Sequence, residues 1–187
     1  MTLQDWEGKR VQEQNQRVRF EQVVLVHLDA AYNLARWLTR NDQDAEDVVQ
    51  EACLRAYKFF AGYQGGDSRA WLLTIVRNTG YTWLRQHRGH ELNPVFDEEL
   101  HQVAADCAVL NPEVMFERSA NVAVLKAVLE ELPVEFREVM VLRELEDLSY
   151  KEIARIVGVP IGTVMSRLNR ARQRLQLHLT QQIDPTN

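Results

Sequence analysis

The sequence predicts an all-α protein in which an acidic linker joins two small helical domains. Apolar residues recur at every third or fourth position through most of the chain, which is the spacing of one helix face. The 187 residues include only 8 glycines and 5 prolines, too few for a loop-rich all-β chain. That length suits one ordinary domain or two small ones, and a proline-containing acidic stretch near the middle favours two.

Three helices are predicted for the first domain. Asn41 and Asp42 favour a turn and a helix cap between the first two, and a loop from Gly62 to Asp67 precedes the third, which should end near Gly89. The apolar faces are Phe20, Val24, Leu28, Ala31, Ala35 and Leu38; then Ala45, Val48, Val49, Ala52, Ala56 and Phe59; and then Trp71, Leu72, Ile75, Val76, Thr79 and Trp83.

The second domain is predicted to begin near Ser119, after a linker. The linker has two prolines, seven carboxylates and weak periodicity between positions 91 and 117. Apolar spacing predicts a helix from Val122 to Leu132, which Pro133 ends, and another from Phe136 to Leu145.

A helix-turn-helix is predicted from Leu148 to Leu168. Ser149 and Glu152 form a capping-box pattern, and Gly158 stands where the turn requires a left-handed backbone. The second helix carries hydroxyl, amide and guanidinium groups, which suit base edges and phosphates. These side chains are Thr163, Ser166, Arg167, Asn169, Arg170, Arg172 and Arg174. A helical hairpin with a basic solvent face is the alternative interpretation.

The third helix of the first domain combines aromatic and basic residues. Trp71, Tyr81 and Trp83 alternate with Arg69, Arg77, Arg85 and Arg88. Arginines hold phosphates, and one base–aromatic stack contributes about 1 to 3 kcal/mol, which suits single-stranded or melted DNA. The two tryptophans share the apolar stripe and could instead be core residues, so Tyr81 and Arg85 are the better candidates for contact.

Charge is strongly segregated along the chain, although the net charge is only −5. Positions 41–51 hold five carboxylates and no basic residue, and positions 68–90 hold four arginines and no carboxylate. Positions 91–113 hold six carboxylates and no basic residue, whereas positions 148–174 hold six basic residues and one acid. A single run is most simply a solvated face. Four alternating runs predict two nucleic-acid-facing surfaces on a protein that also meets a basic partner.

Taken in order, these segments resemble an RNA polymerase sigma factor of the extracytoplasmic-function group of the sigma-70 family. Residues 44–51 resemble the family's core-binding segment, residues 68–79 its promoter-melting segment, and residues 148–172 its −35 reader. The likeness runs from Phe20 to Leu177. Pro160 departs from the pattern, since a capping hydroxyl often begins the recognition helix, but proline is acceptable in a first turn.

The resemblance implies a domain plan and a set of contacts. Residues 1–19 would be an N-terminal extension, 20–90 region 2, 91–117 an acidic linker threading the polymerase cleft, 118–178 region 4, and 179–187 a polar tail. The acidic helix would dock on the largest polymerase subunit through Asp44, Glu46, Asp47, Gln50 and Glu51. The melted −10 strand would meet Gln64, Asp67, Ser68, Arg69, Arg77, Asn78, Tyr81, Arg85 and Arg88. The −35 element would meet the seven side chains of the second helix of the helix-turn-helix.

The resemblance also implies the partners. These are core RNA polymerase, through its largest and second-largest subunits, promoter DNA, and an anti-sigma factor that could hold the chain at the inner membrane. No cofactor and no catalytic site are expected. The chain has no segment approaching the roughly 18 to 20 apolar residues of a membrane span, and its polar start does not resemble a signal peptide. Cys53 and Cys107 are too few for a disulfide framework, so the bacterial cytoplasm is the expected compartment.

Two other functions fit parts of the sequence. A dimeric helix-turn-helix regulator would bind duplex DNA without polymerase, but it leaves the acidic and the aromatic–basic helices unexplained. A sigma-like decoy that only sequesters an inhibitor should lack DNA contacts, yet Arg167, Arg170 and Arg172 are present. A metal site at His87 and His90, with or without Cys107, would need further ligands and is not expected.

Overall fold

The computed structural model describes residues 3–88 and 122–183, and these contain helices and no strand. No helix within these two ranges is both long and apolar enough to cross a membrane. The expected linker at 91–117 lies outside the described residues. The α-helices are α1 Leu3–Val23, α2 Leu28–Thr39, α3 Asp42–Phe59, α4 Ser68–His87, α5 Val122–Glu131, α6 Val134–Met140, α7 Tyr150–Val157 and α8 Ile161–Ile183.

The start of the chain differs from the sequence prediction. Helix α1 begins at Leu3, so much of the expected N-terminal extension is helical and runs without a break into the first domain. The single helix face predicted from Phe20 to Leu38 is divided between α1 and α2 by a 3₁₀ turn, Leu25–His27. The β-branched residues Val23 and Val24 precede this turn and Val26 lies within it, and such residues lower helix propensity.

The first domain packs α2, α3 and α4 around a core of leucine, valine and alanine. Leu34, Leu38 and Leu72 are completely buried. Small residues let the helices approach closely: a Cβ atom added to Gly80 in α4 would lie 2.8 Å from Cδ1 of Leu38 in α2. At the edge of this core, the ring of Phe20 in α1 contacts Phe60 edge-on, with centroids 5.2 Å apart.

The second domain comprises α5 to α8. Helix α5 ends at Glu131 just before Pro133, as predicted, and the buried guanidinium of Arg137 binds this end by donating to the carbonyls of Glu130 at 2.8 Å and Leu132 at 3.1 Å. The predicted Phe136–Leu145 helix corresponds to α6 followed by a π-helical turn, Val141–Leu145. The sequence did not predict this wider turn, which Glu146 follows directly.

The two domains pack against each other. Helices α2 and α4 of the first domain contact α6 and α7 of the second. The sequence did not indicate which faces of the two domains would meet. In the structure, the face of α4 that turns toward the second domain carries some of the arginines expected to bind DNA.

Candidate nucleic-acid and partner interfaces

The acidic helix α3 presents its predicted docking residues to solvent. The Asn41 side chain accepts a hydrogen bond from the Asp44 backbone N–H at 3.0 Å, which caps the helix as the sequence predicted. Because Ala45, Val48, Ala52 and Ala56 form the buried stripe, the opposite face is in water. Of the predicted residues, Asp44 is half-buried, and the following four are exposed: Glu46, Asp47, Gln50 and Glu51.

An apolar patch continues this acidic face toward the end of α3. Leu54 is 63% exposed and Phe59 is 60% exposed, and Lys58 lies between them on the helix. Exposed apolar side chains rimmed by charges are typical of protein interaction sites. The sequence had assigned Phe59 to the core stripe, but that stripe ends at Ala56 and Phe60 is the buried aromatic residue.

The loop before α4 is shaped by two glycines and two side-chain hydrogen bonds. Gly65 and Gly66 have φ angles of 97° and 102°, which side chains rarely adopt. The Tyr63 hydroxyl donates to the Gly66 carbonyl at 2.7 Å, and Asp67 caps α4 by accepting from the Ala70 N–H at 3.0 Å. The loop therefore has a defined shape, with Gln64 and Asp67 exposed and Ser68 half-buried.

The two tryptophans of α4 are half-buried, and each packs against a neighbouring ring. Trp71 is half-buried against Tyr63, with ring centroids 5.0 Å apart, which favours the core interpretation for that residue. Trp83 is also half-buried and stacks on the imidazole of His87 at 4.6 Å. Asn78 and Arg85 are exposed, as their predicted contact with a DNA strand requires.

Arg88, just past the end of α4, lies over the Trp83 ring, 5.7 Å from its centroid. Other predicted contacts of α4 meet the second domain. Arg77 donates from Nε and Nη2 to the two carboxylate oxygens of Glu138, at 2.8 and 3.2 Å. Arg77 also lies over the Tyr81 ring, 4.3 Å from its centroid. Burial, followed by the charge of Glu138, raises the pKa of Tyr81, so its hydroxyl stays protonated beside that carboxylate.

Two buried carboxylates of the second domain thus face the first domain. Glu138 is completely buried and also lies 3.5 Å from Nη1 of Arg167. Burial raises the pKa of Glu138, whereas Arg77 and Arg167 act in the opposite direction. Glu146 is 5% exposed and accepts hydrogen bonds from Arg69 and, at 3.0 Å, from Asn33.

The helix-turn-helix forms as predicted. Ser149 and Glu152 make a reciprocal capping box at the start of α7, and Gly158 ends that helix with a φ of 74°. Buried apolar residues fill the angle between α7 and α8, among them Ile153, Val157, Val164 and Leu168. The first turn of α8 follows Pro160, whose carbonyl accepts from the Thr163 N–H at 2.9 Å.

The seven predicted −35 residues on α8 fall into two groups. The solvent side holds one exposed and three half-exposed side chains: Ser166, Thr163, Asn169 and Arg170. Three arginines instead contact other helices: Arg167 reaches Glu138, Arg172 donates to Glu144 at 2.8 Å, and Arg174 lies 5.1 Å from the Phe136 ring centroid. The first group is available to a duplex in this arrangement.

Sequence reasoning missed Glu138 and Glu146. A single carboxylate in a helix ordinarily points to solvent, and only the apolar neighbours of Glu138 hinted at burial. Within residues 3–88 and 122–183, no group of three or more His, Cys, Asp or Glu residues is arranged to hold a metal ion. His90 and Cys107, weighed above as metal ligands, lie outside the described residues.

Comparison with known proteins places both domains in one family. A model described as Sigma-70 region 2 matches residues 23–90, and one described as Sigma-70, region 4 matches residues 123–175. Among solved structures, the sigma factor RpoE in complex with the anti-sigma factor NepR from Bartonella quintana is 30% identical, with a TM-score of 0.65 over 87% of this chain and 97% of that one. CnrH, in complex with the cytosolic domain of CnrY, shares the fold at 24% identity, with a TM-score of 0.62 over 88% of this chain and 89% of that one.

Curated relatives cover almost the same part of the chain. The ECF RNA polymerase sigma factor SigE of Mycolicibacterium smegmatis is 37% identical over 89% of this chain, which spans 64% of that relative's length. The ECF RNA polymerase sigma-E factor of Escherichia coli K12 is 31% identical over 172 residues, 89% of each protein. Given this likeness and the match of both region models, the chain belongs to the extracytoplasmic-function group of the sigma-70 family of RNA polymerase sigma factors.

Proposed function

We propose that the chain binds core RNA polymerase and directs it to promoters, without catalysing a reaction itself. The observation that carries this proposal is the presence, in one chain, of a helix-turn-helix and a separate exposed acidic helix. A DNA-binding module alone does not need the second feature. The dimeric regulator considered above would likewise leave unexplained the match of the first domain to the region 2 model.

In this proposal, α3 docks on the polymerase. The exposed carboxylates Glu46, Asp47 and Glu51 would face a basic surface of the largest subunit, and Leu54 and Phe59 would supply apolar contact beside them. Charge complementarity of this kind raises the association rate and fixes the orientation of binding.

The DNA contacts are divided between the domains. The loop from Gln64 and helix α4 would hold the melted non-template strand of the −10 element, where arginines bind phosphates and a flipped base enters a pocket. Helix α8 would enter the major groove of the −35 element with Ser166 and Arg170 on its exposed side. The polymerase would supply all of the catalysis.

Reconstituted transcription tests the proposal. Core polymerase with the purified chain should produce transcripts starting at specific genomic positions, and core polymerase alone should not. Absence of any chain-dependent start site across fragmented genomic DNA would refute the proposal. Tight binding of the chain alone to a palindromic duplex would favour the dimeric regulator instead.

We also infer regulation by an anti-sigma factor in the cytoplasm. Both structural neighbours described above are complexes, one with an anti-sigma factor and one with a cytosolic protein domain. Co-expression with the products of adjacent genes should yield a stable complex that no longer binds core polymerase. If no adjacent gene product binds the chain, the inference of a neighbouring inhibitor fails.

A further inference from the structure

One hydrogen bond connects the loop before α4 to a part of the chain that no DNA assignment includes. His27 lies in the 3₁₀ turn between α1 and α2, and its Nε2 atom is 3.0 Å from Oγ of Ser68, the first residue of α4. The two residues are 41 positions apart, so the bond joins separate elements. It lies within the first domain and therefore does not depend on how the two domains meet.

We propose that His27 is a positioning residue for the loop expected to capture the melted −10 strand: its imidazole fixes Ser68 and, through Ser68, the residues on either side. The inference rests on the proposed function, because it takes the assignment of that loop to the −10 strand as given. It adds a residue that has no DNA contact in that assignment and that acts through its neighbour.

The turn that carries His27 is itself well anchored. Val24, which precedes the turn, is completely buried, and its carbonyl accepts a hydrogen bond from the His27 N–H at 3.1 Å. Helix α2 follows directly at Leu28 and packs against α3 and α4. The imidazole therefore extends from a backbone that is held on both sides, as a positioning residue requires.

Ser68 is the position where a displacement would affect most of the expected strand contacts. It lies between Asp67 and Arg69, two of the residues predicted to meet the −10 strand, and it begins the helix that carries most of the others. The bond from Tyr63 to Gly66 joins residues only three positions apart and shapes the loop itself. The bond from the 3₁₀ turn instead fixes the loop relative to the rest of the domain.

The ionisation state of His27 suits this bond. Burial lowers the pKa of His27, the charge of Arg69 lowers it further, and Asp67 acts in the opposite direction. The ring is therefore neutral near pH 7, with one nitrogen that donates and one that accepts. Either tautomer can bond to the Ser68 hydroxyl, because a hydroxyl both donates and accepts.

A positioned loop should bind a strand more tightly than a loose one. Base flipping already carries an unstacking cost, and ordering a loose loop on binding would add to it. A bond that orders the loop in the free protein removes this second cost. Loss of one ordinary hydrogen bond should therefore weaken strand binding about three- to tenfold.

Two neutral polar replacements separate the hydrogen bond from the bulk of the ring. The amide of His27→Gln places a polar atom near the position of Nε2 and should keep the bond to Ser68, whereas the shorter His27→Asn reaches only as far as Nδ1 and should lose it. His27 is also the N-cap of α2, and Asn is favoured at such positions, so the variant should fold. His27→Asn is thus the test, and His27→Gln is the matched control.

Amide hydrogen exchange on the full-length chain measures whether the loop is held. The Ala70 and Trp71 N–H groups bond to Asp67 at 3.0 and 3.1 Å, so their exchange reports how often the start of α4 opens. Both amides should exchange about three- to tenfold faster in His27→Asn than in the wild type, and within about twofold of the wild type in His27→Gln. In a Ser68→Ala background, His27→Asn should have little further effect, because its partner is already absent.

Strand binding is measured with each variant assembled on core polymerase. The probe is a fragment of a promoter identified by reconstituted transcription, double-stranded through the −35 element and single-stranded through the −10 element. His27→Asn should bind this forked probe about three- to tenfold more weakly than His27→Gln does. Both variants should bind equally to core polymerase and to a duplex that ends before the −10 element, which a general loss of structure would not allow.

Two results would overturn the inference. Either His27→Asn exchanges at the wild-type rate, or it exchanges faster and still binds the forked probe as tightly as His27→Gln. A wild-type chain that does not associate with core polymerase would instead refute the proposed function, and the role in strand capture would fail with it. Exchange is measured without polymerase or DNA, so it distinguishes the two failures.

Discussion

Replacing Gly80 by alanine would test how closely α2 and α4 pack in the first domain. The added Cβ atom would lie 2.8 Å from Cδ1 of Leu38, well inside the ordinary carbon–carbon contact of about 3.5 to 4.0 Å. Leu38 is completely buried and cannot turn into solvent. Overpacking of this kind costs about 1 to 3 kcal/mol, while the gain in helix propensity is about 1 kcal/mol, so the variant should lose up to about 2 kcal/mol and should not gain stability.

Urea unfolding followed by circular dichroism measures this loss and the effect of a control in the other domain, because both domains are helical. Gly162→Ala is the control: an added Cβ there meets nothing within 4 Å, so helix α8 should gain up to about 1 kcal/mol. Leu38→Val should cost less in the Gly80→Ala background than in the wild type, since it removes the contacting atom. A Gly80→Ala variant that gains as much stability as the control would refute the packing argument.

Three further predictions concern single side chains. Ser149→Ala should destabilise the second domain by about 1 kcal/mol in thermal unfolding, since it removes the cap of α7; unchanged stability would mean that the capping box contributes little. Hydrogen bonds from Ser149 lower the pKa of Glu152 below its ordinary value of 4.5, so its contribution is present above that pH and lost as the pH falls through the lowered value. Glu152→Gln should flatten this acid limb of the stability profile, and an unchanged limb would contradict the assignment. Asp47→Arg should weaken binding to core polymerase about three- to tenfold by fluorescence anisotropy, whereas Asp29→Arg, on exposed α2 surface, should not; equal effects would remove α3 from the docking site.

Local features of the fold could be predicted from the sequence because their causes are local. The capping box at Ser149, the left-handed Gly158 and the Asn41 cap each depend on a few neighbouring residues, and all three form. The π-helical turn, Val141–Leu145, has no comparable signature, since it depends on how that segment packs. Helix α1 was missed because its residues before Phe20 lack the regular apolar stripe on which the prediction relied.

The candidate interfaces were predicted only in part, because side-chain type is local information whereas contacts between distant residues are not. The types of side chain needed to bind DNA or a basic partner can be recognised in a sequence, and four of the five predicted on α3 are exposed. Which arginines would be engaged inside the protein depends on contacts between residues far apart in the chain. Arg77 and Glu138 are 61 positions apart, and no periodicity links them.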